Sequence, residues 1–235
     1  MSIVINRKKP NTRLLIIWEA AKMFVNEGYT NSSINKIAKN LDLSVGNITF
    51  YFKTKEHLLA ILVDELCDYQ KRMMAEETEE GYSSLLAYCL ELTAMTAVCE
   101  ESEIARDFYR SAYSSELTLS LIRENDTEKV KEIFAPFCSD WSEEKWVATE
   151  NMVLGIEFAT IMTREENTPI ELQIEKTLDT ILYLFDVPKE TRETKIKKVL
   201  SMDYRALGGK LLREFPEYVM KINEENLKNS MKNKK

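Results

Sequence analysis

Residues 32–56 read SSINKIAKNLDLSVGNITFYFKTKE, and their spacing decides the fold. Ile34, Ile37, Ala38 and Leu41 fall at i, i+3, i+4 and i+7, one face of a helix. The pattern predicts a helix over 33–40, with Ser32 or Ser33 as N-cap. Leu41-Asp42-Leu43 forms the turn, and Ser44 caps a second helix over 45–52. That helix keeps Ile48 and Phe52 for a core and turns Gly46, Asn47 and Thr49 outward. Gly and β-branched Thr are poor helix formers, so helix stability does not explain them. A duplex does. Small residues permit close approach, Asn pairs bidentately with adenine, and Thr offers a methyl or hydroxyl to base edges. Helix, turn and a polar-faced second helix have the geometry of a major-groove reader.

Working outward, charge supports that reading. The chain of 235 residues has a net charge of −7. Residues 1–60 hold nine Lys+Arg against four Asp+Glu, and residues 61–235 hold 23 against 35. Phosphate affinity follows local charge, so a basic head on an acidic body still suits DNA. Six Gly and five Pro are too few for a turn-rich all-β fold, and the composition favours helix throughout. Cys67, Cys89, Cys99 and Cys138 lie in helical patterns with no CxxC or Cys/His ligand spacing. They read as buried thiols in a reducing cytoplasm. No apolar run is long enough to span a membrane, and residues 1–10 lack a signal-peptide core. No GxSxG, GxGxxG or phosphate-loop spacing is present, so the expectation is a non-enzymatic, cytoplasmic protein without cofactor or structural metal.

The rest of the chain reads as helices. Residues 1–10 form a polar arm carrying Arg7, Lys8 and Lys9. A helix over 11–27 ends at Gly28, which suits a left-handed cap. Thr54 opens a long helix to about 77. Further helices are expected over 83–100, 103–113, 116–134, 142–163, 169–185 and 190–203. Gly208-Gly209 is expected to break or bend the chain before a last helix over 211–227, with Pro216 in or near its first turn. The Lys-rich tail 228–235 is expected to be disordered. His57 stands alone, an ordinary surface histidine rather than part of a metal set.

Over residues 12–66 the chain resembles the DNA-binding region of the TetR family of bacterial repressors. The matching residues are Ala20-Ala21, Phe24, Gly28-Tyr29, Ser33-Ile34, Ile37-Ala38, Leu43-Ser44, Gly46, Ile48, Tyr51-Phe52 and Lys53-x-Lys55-Glu56-x-Leu58. Two positions depart from the family pattern. Asp42 stands where Gly is usual, and Asp tolerates the left-handed conformation. Thr49 stands where Tyr is usual and is too short for the same contact.

The resemblance implies an all-α homodimer with a helix-turn-helix head, 1–57, and a larger effector-binding and dimerisation body, 58–235. It implies an operator in double-stranded DNA, released when a small-molecule effector changes the spacing of the two heads. The alternative is an architectural or cell-division DNA-binding protein of the same fold without an effector. The residues expected at DNA are Ser33, Ser44, Gly46, Asn47, Thr49, Tyr51 and Lys55, the last matching the family's phosphate-contacting lysine. An effector pocket is expected among Tyr88, Met95, Arg106, Phe108, Tyr109, Arg110, Trp146 and Glu157. Arg106 or Arg110 would suit an anion, and Glu157 a cation. Helices 142–163 and 169–186 are expected to make the dimer, with Gly155 allowing close approach.

Overall fold

The computed structural model describes residues 11–81, 84–163 and 168–232. The basic arm 1–10, Ser83 and residues 233–235 lie outside them. Every regular element among the described residues is a helix. In order they are α1 (Thr12–Glu27), α2 (Ile34–Asn40), α3 (Val45–Tyr51), α4 (Lys55–Thr78), α5 (Leu85–Glu101), α6 (Glu103–Ser114), α7 (Glu116–Phe134), α8 (Glu143–Met162), α9 (Ile170–Leu184), α10 (Lys189–Leu200) and α11 (Tyr204–Lys232). None is long and apolar enough to cross a membrane.

Side-chain caps set many of the starts. Asn11, Ser33, Ser44, Thr54, Ser84, Ser102 and Ser142 each accept a backbone N–H from the first turn that follows. Each satisfies a donor that a helix start leaves orphaned. In the α2–α3 turn Asp42 adopts φ 53°, the left-handed conformation that the turn demands.

The last helix departs from the sequence expectation. Gly208 and Gly209 do not break it, Pro216 lies well inside it, and its backbone stays helical to Lys232, into the stretch expected to be a disordered tail. Packing overrides propensity here. Leu207, Leu211, Leu212 and Phe215 of α11 are all buried. A Cβ placed on Gly208 would lie 2.5 Å from the carbonyl oxygen of Ala94 in α5, so this glycine allows two helices to touch rather than one to end.

The core is continuous from head to body. In the head, Ile17, Ala20, Ala21 and Phe24 of α1 meet Ile37, Ile48, Phe52, Leu58 and Leu62. In the body, α5 is buried almost all round, as befits a central helix. It packs against α4, α6, α8, α9, α10 and α11. The helix α4 serves both halves: Leu58 and Leu62 belong to the head, and Leu66, Met73 and Met74 to the body. The helix α11 returns to pack on α1, α4 and α5, a second link that the sequence did not reveal.

Candidate DNA interface and effector cavity

In α3 only Ile48 is buried. Val45, Gly46, Asn47, Thr49, Phe50 and Tyr51 are exposed, and Lys53 follows them at the surface. Phe50 is 81% exposed, the largest hydrophobic exposure in the head. Its ring meets Tyr51 edge-on at 5.0 Å. The Tyr51 hydroxyl is free of hydrogen bonds among the described residues.

Four of the residues expected at DNA, Ser33, Ser44, Asn47 and Lys55, have structural tasks as well. Asn47 Oδ1 accepts from the Ser44 backbone N–H at 3.2 Å and from the Ser44 hydroxyl at 2.6 Å, while the Ser44 Oγ accepts the Asn47 N–H at 3.1 Å. This is a capping box. Bidentate pairing with adenine needs that same amide oxygen, so Asn47 can read adenine that way only by opening the cap. Ser44-x-x-Asn47 is the sequence signal for it. Ser33 likewise caps α2 through the Lys36 N–H. Thr49 is exposed, with its hydroxyl 3.4 Å from the Gly46 carbonyl.

Lys55 is turned inward at the junction of head and body. Its ammonium donates to the carbonyls of Tyr29 at 2.9 Å and Ser32 at 3.0 Å, and lies 3.9 Å from the centre of the Tyr29 ring. Two of its three N–H bonds are thus used, and one is left for a phosphate. Burial lowers its pKa, opposed by Asp107. Asp107 of α6 itself accepts from the backbone N–H of Thr30 at 2.8 Å and from the Thr30 hydroxyl at 2.5 Å. The neighbouring Gly28 has φ 88°, and a Cβ there would lie 2.9 Å from the Asp107 carboxylate. One α6 side chain therefore grips the α1–α2 loop.

The body holds a cavity of about 50 Å³ between α4, α5, α6, α7 and α8. Of the expected pocket residues, Tyr88, Met95, Tyr109 and Glu157 line it. The other four do not. Arg106 donates Nε and Nη2 to the Cys99 carbonyl at 3.0 and 2.7 Å and pairs with Glu103 at 2.7 Å, so it caps the end of α5. Phe108 is fully buried in the core, and Arg110 is exposed. Trp146 packs on Trp141 and Phe185 in an aromatic cluster elsewhere.

The sequence reading missed Cys67, Gln70, Glu91, Tyr113, Asp126 and Lys129, which also line the cavity. A signal existed. Asp126 and Lys129 sit on the stripe of Ile122, Val130 and Ile133, and charges on an apolar stripe mark a polar interior. Lys129 donates to Glu91 at 2.6 Å, and the Tyr88 hydroxyl donates to Glu157 Oε1 at 3.0 Å. Burial, then the nearby Asp126, pushes the Glu157 carboxyl up to about 8. Burial likewise raises Asp126 to about 6, against the pull of Lys129. Burial also raises all four thiols, so they are poor thiolates. Among the described residues no group of three or more His, Cys, Asp or Glu is placed to hold a metal ion.

Residues 16–62 match the family described as bacterial regulatory proteins, tetR family. The chain is 33% identical over 81 residues to the uncharacterized HTH-type transcriptional regulator YuxN of Bacillus subtilis, covering 34% of this chain and 28% of that protein. It is 35% identical over 78 residues to the probable HTH-type transcriptional regulator YttP of the same organism, covering 33% and 32%. The match thus spans about a third of each relative. Among solved structures, a gamma-butyrolactone receptor (ArpA-like protein) is 18% identical, with 86% of this chain and 97% of that chain covered and a TM-score of 0.44. The TetR family protein CprB from S. coelicolor A3(2) is 18% identical, with 87% and 96% covered and a TM-score of 0.37. The helix-turn-helix geometry and the family match thus fall on the same residues, and the head is similar to that of the tetR family of bacterial regulatory proteins.

Proposed function

We propose that the chain is a ligand-responsive transcriptional regulator that binds a two-fold-symmetric DNA operator as a homodimer. The observation that carries this reading is the face of α3. Six of its seven residues are exposed, and they include the Phe50 ring, which the described residues leave 81% exposed. An exposed Phe is costly in water, and contact with a thymine methyl would repay it. Residues 1–57 then act as the reading head and 58–235 as the sensing and dimerising body, with α4 common to both.

The dimer is proposed through α8 and α9. Val147, Met152 and Phe158 of α8 and Leu172 and Tyr183 of α9 are large and exposed. Gly155 lies among them with open space where a Cβ would stand. Covering such a face with a second copy removes it from water.

The effector acts through α6 in this reading. Tyr109, Ala112 and Tyr113 of α6 line the cavity, while Asp107 of the same helix holds the Thr30 loop of the head. A ligand that shifts α6 shifts the head with it. Operator affinity then falls by linkage, because a dimer fits two half-sites only at the groove repeat of about 34–36 Å. The cavity favours this reading over that of an architectural protein without an effector. Selection of bound duplexes from a random pool tests it: a two-fold-symmetric consensus is expected, and no enrichment of any sequence would overturn it.

A further inference from the structure

The body contains a charge imbalance that its own residues leave open. Three adjoining cavities share Asp126 as a wall. Its carboxylate makes no hydrogen bond or ion pair among the described residues. Glu157 lines two of the three and is only 9% exposed. One of its oxygens accepts from Tyr88, and the other has no protein partner among the described residues. The one ammonium in the inner cavity, Lys129, is already bonded to Glu91. Arg123, on the second cavity, is exposed and pairs with no carboxylate among the described residues. In that second cavity Glu150 accepts from Thr127 through Oε2, while its buried Oε1 accepts nothing among the described residues.

Three carboxyls, those of Glu91, Asp126 and Glu157, thus share one ammonium, that of Lys129, in an inner cavity walled largely by apolar and aromatic groups. A buried carboxylate is neutralised by a proton or by a cation. An anionic ligand would face like charge. A hard metal ion needs about six oxygen ligands, which these walls do not converge. Tyr88 and Tyr113 line the inner cavity, and the Lys129 ammonium already lies 5.9 Å from the centre of the Tyr88 ring, so this wall accommodates a cation.

We propose that these adjoining cavities take a monovalent organic cation with an apolar or aromatic body, held by Asp126 and Glu157 beside Tyr88 and Tyr113. This rests on the reading of the body as the effector-binding half of a regulator. The cation displaces the proton from the carboxyl pair and replaces it as the neutralising charge.

Calorimetric titration at about pH 8 tests it with matched probes. The cations are benzyltrimethylammonium and tetraphenylphosphonium. The counterparts of the same shape are neutral neopentylbenzene and anionic tetraphenylborate. At least one cation is expected to bind about tenfold or more tightly than its counterpart, and Glu157→Gln or Asp126→Asn to weaken it by about tenfold or more. Each variant removes a buried charge, so circular dichroism is expected to show a fold intact at that pH. Counterparts that bind as well, a panel in which no cation binds, or variants that bind cations unchanged would each overturn the proposal. The duplex selection judges the regulator reading separately. A symmetric consensus with no cation binding would refute the cation alone.

Discussion

Gly208 and Gly209 are neighbours in one helix, yet substituting each by alanine should have opposite effects. At Gly209 a Cβ meets nothing within 4 Å. There alanine contributes only its better helix propensity, about 0.8–1.0 kcal/mol. At Gly208 the added Cβ would stand 2.5 Å from the Ala94 carbonyl oxygen and 3.1 Å from Val98 Cβ. Carbon–oxygen contacts settle near 3.3–3.6 Å, so α11 would have to withdraw from α5 by about 1 Å. The obstacle is backbone and cannot rotate away. Overpacking of this kind costs about 1–3 kcal/mol, and the propensity gain offsets part of it. For a chain of this size 1 kcal/mol moves Tm by about 2–4 °C. Gly208→Ala should therefore melt several degrees below the parent protein and Gly209→Ala a few degrees above it. Thermal and urea unfolding followed by circular dichroism reads this, at one protein concentration because association shifts Tm. Equal effects of the two substitutions, or a Gly208→Ala protein as stable as its parent, would refute the close packing of α11 on α5.

The remaining predictions concern the cavity and the head. The folded carboxyl of Glu157 is raised to about 8 from its ordinary 4.5, so its contribution is fully present below about pH 4.5 and is lost as pH rises through about 8. Glu157→Gln should then flatten the fall in Tm across that window and melt above the parent at about pH 8.5; an unchanged pH profile would contradict the burial argument. Asp42 pays for a left-handed backbone at φ 53°. Asp42→Gly should leave stability equal or better, while Asp42→Val should lower it by about 1–2 kcal/mol in urea unfolding. Asn47→Ala removes half of the capping box and should cost about 1 kcal/mol; a variant of parental stability would return Asn47 to base reading alone.

The head was legible because its signals are local. Caps at Ser33, Ser44 and Thr54 and the Ile34–Leu41 stripe place all the turns, and Gly28 and Asp42 mark the special backbone positions. The cavity was legible only in part, since it forms from single residues on five helices. Tyr88 and Glu157 stood out as polar groups in apolar runs, but Asp126 and Lys129 were hidden in a helix rich in charge. Arg106 and Trp146 looked like ligand residues because sequence does not show which partner a side chain finds; one caps α5, and the other joins the cluster around Phe185. The helix α11 was misread at Gly208-Gly209 because propensity is local, whereas the reason for Gly208 lies on α5.

The most direct test of the central claim is how well the protein discriminates between the selected symmetric duplex and a scrambled duplex of equal length. It is measured by fluorescence anisotropy at a fixed salt concentration. The parent protein should prefer the symmetric site by about 10³-fold or more. A variant with Thr49 and Phe50 changed to alanine should lose that preference while keeping its fold and its salt-dependent binding to any duplex. A parent that binds both duplexes equally, or a variant that discriminates as well as its parent, would contradict the assignment of α3 as the reading helix.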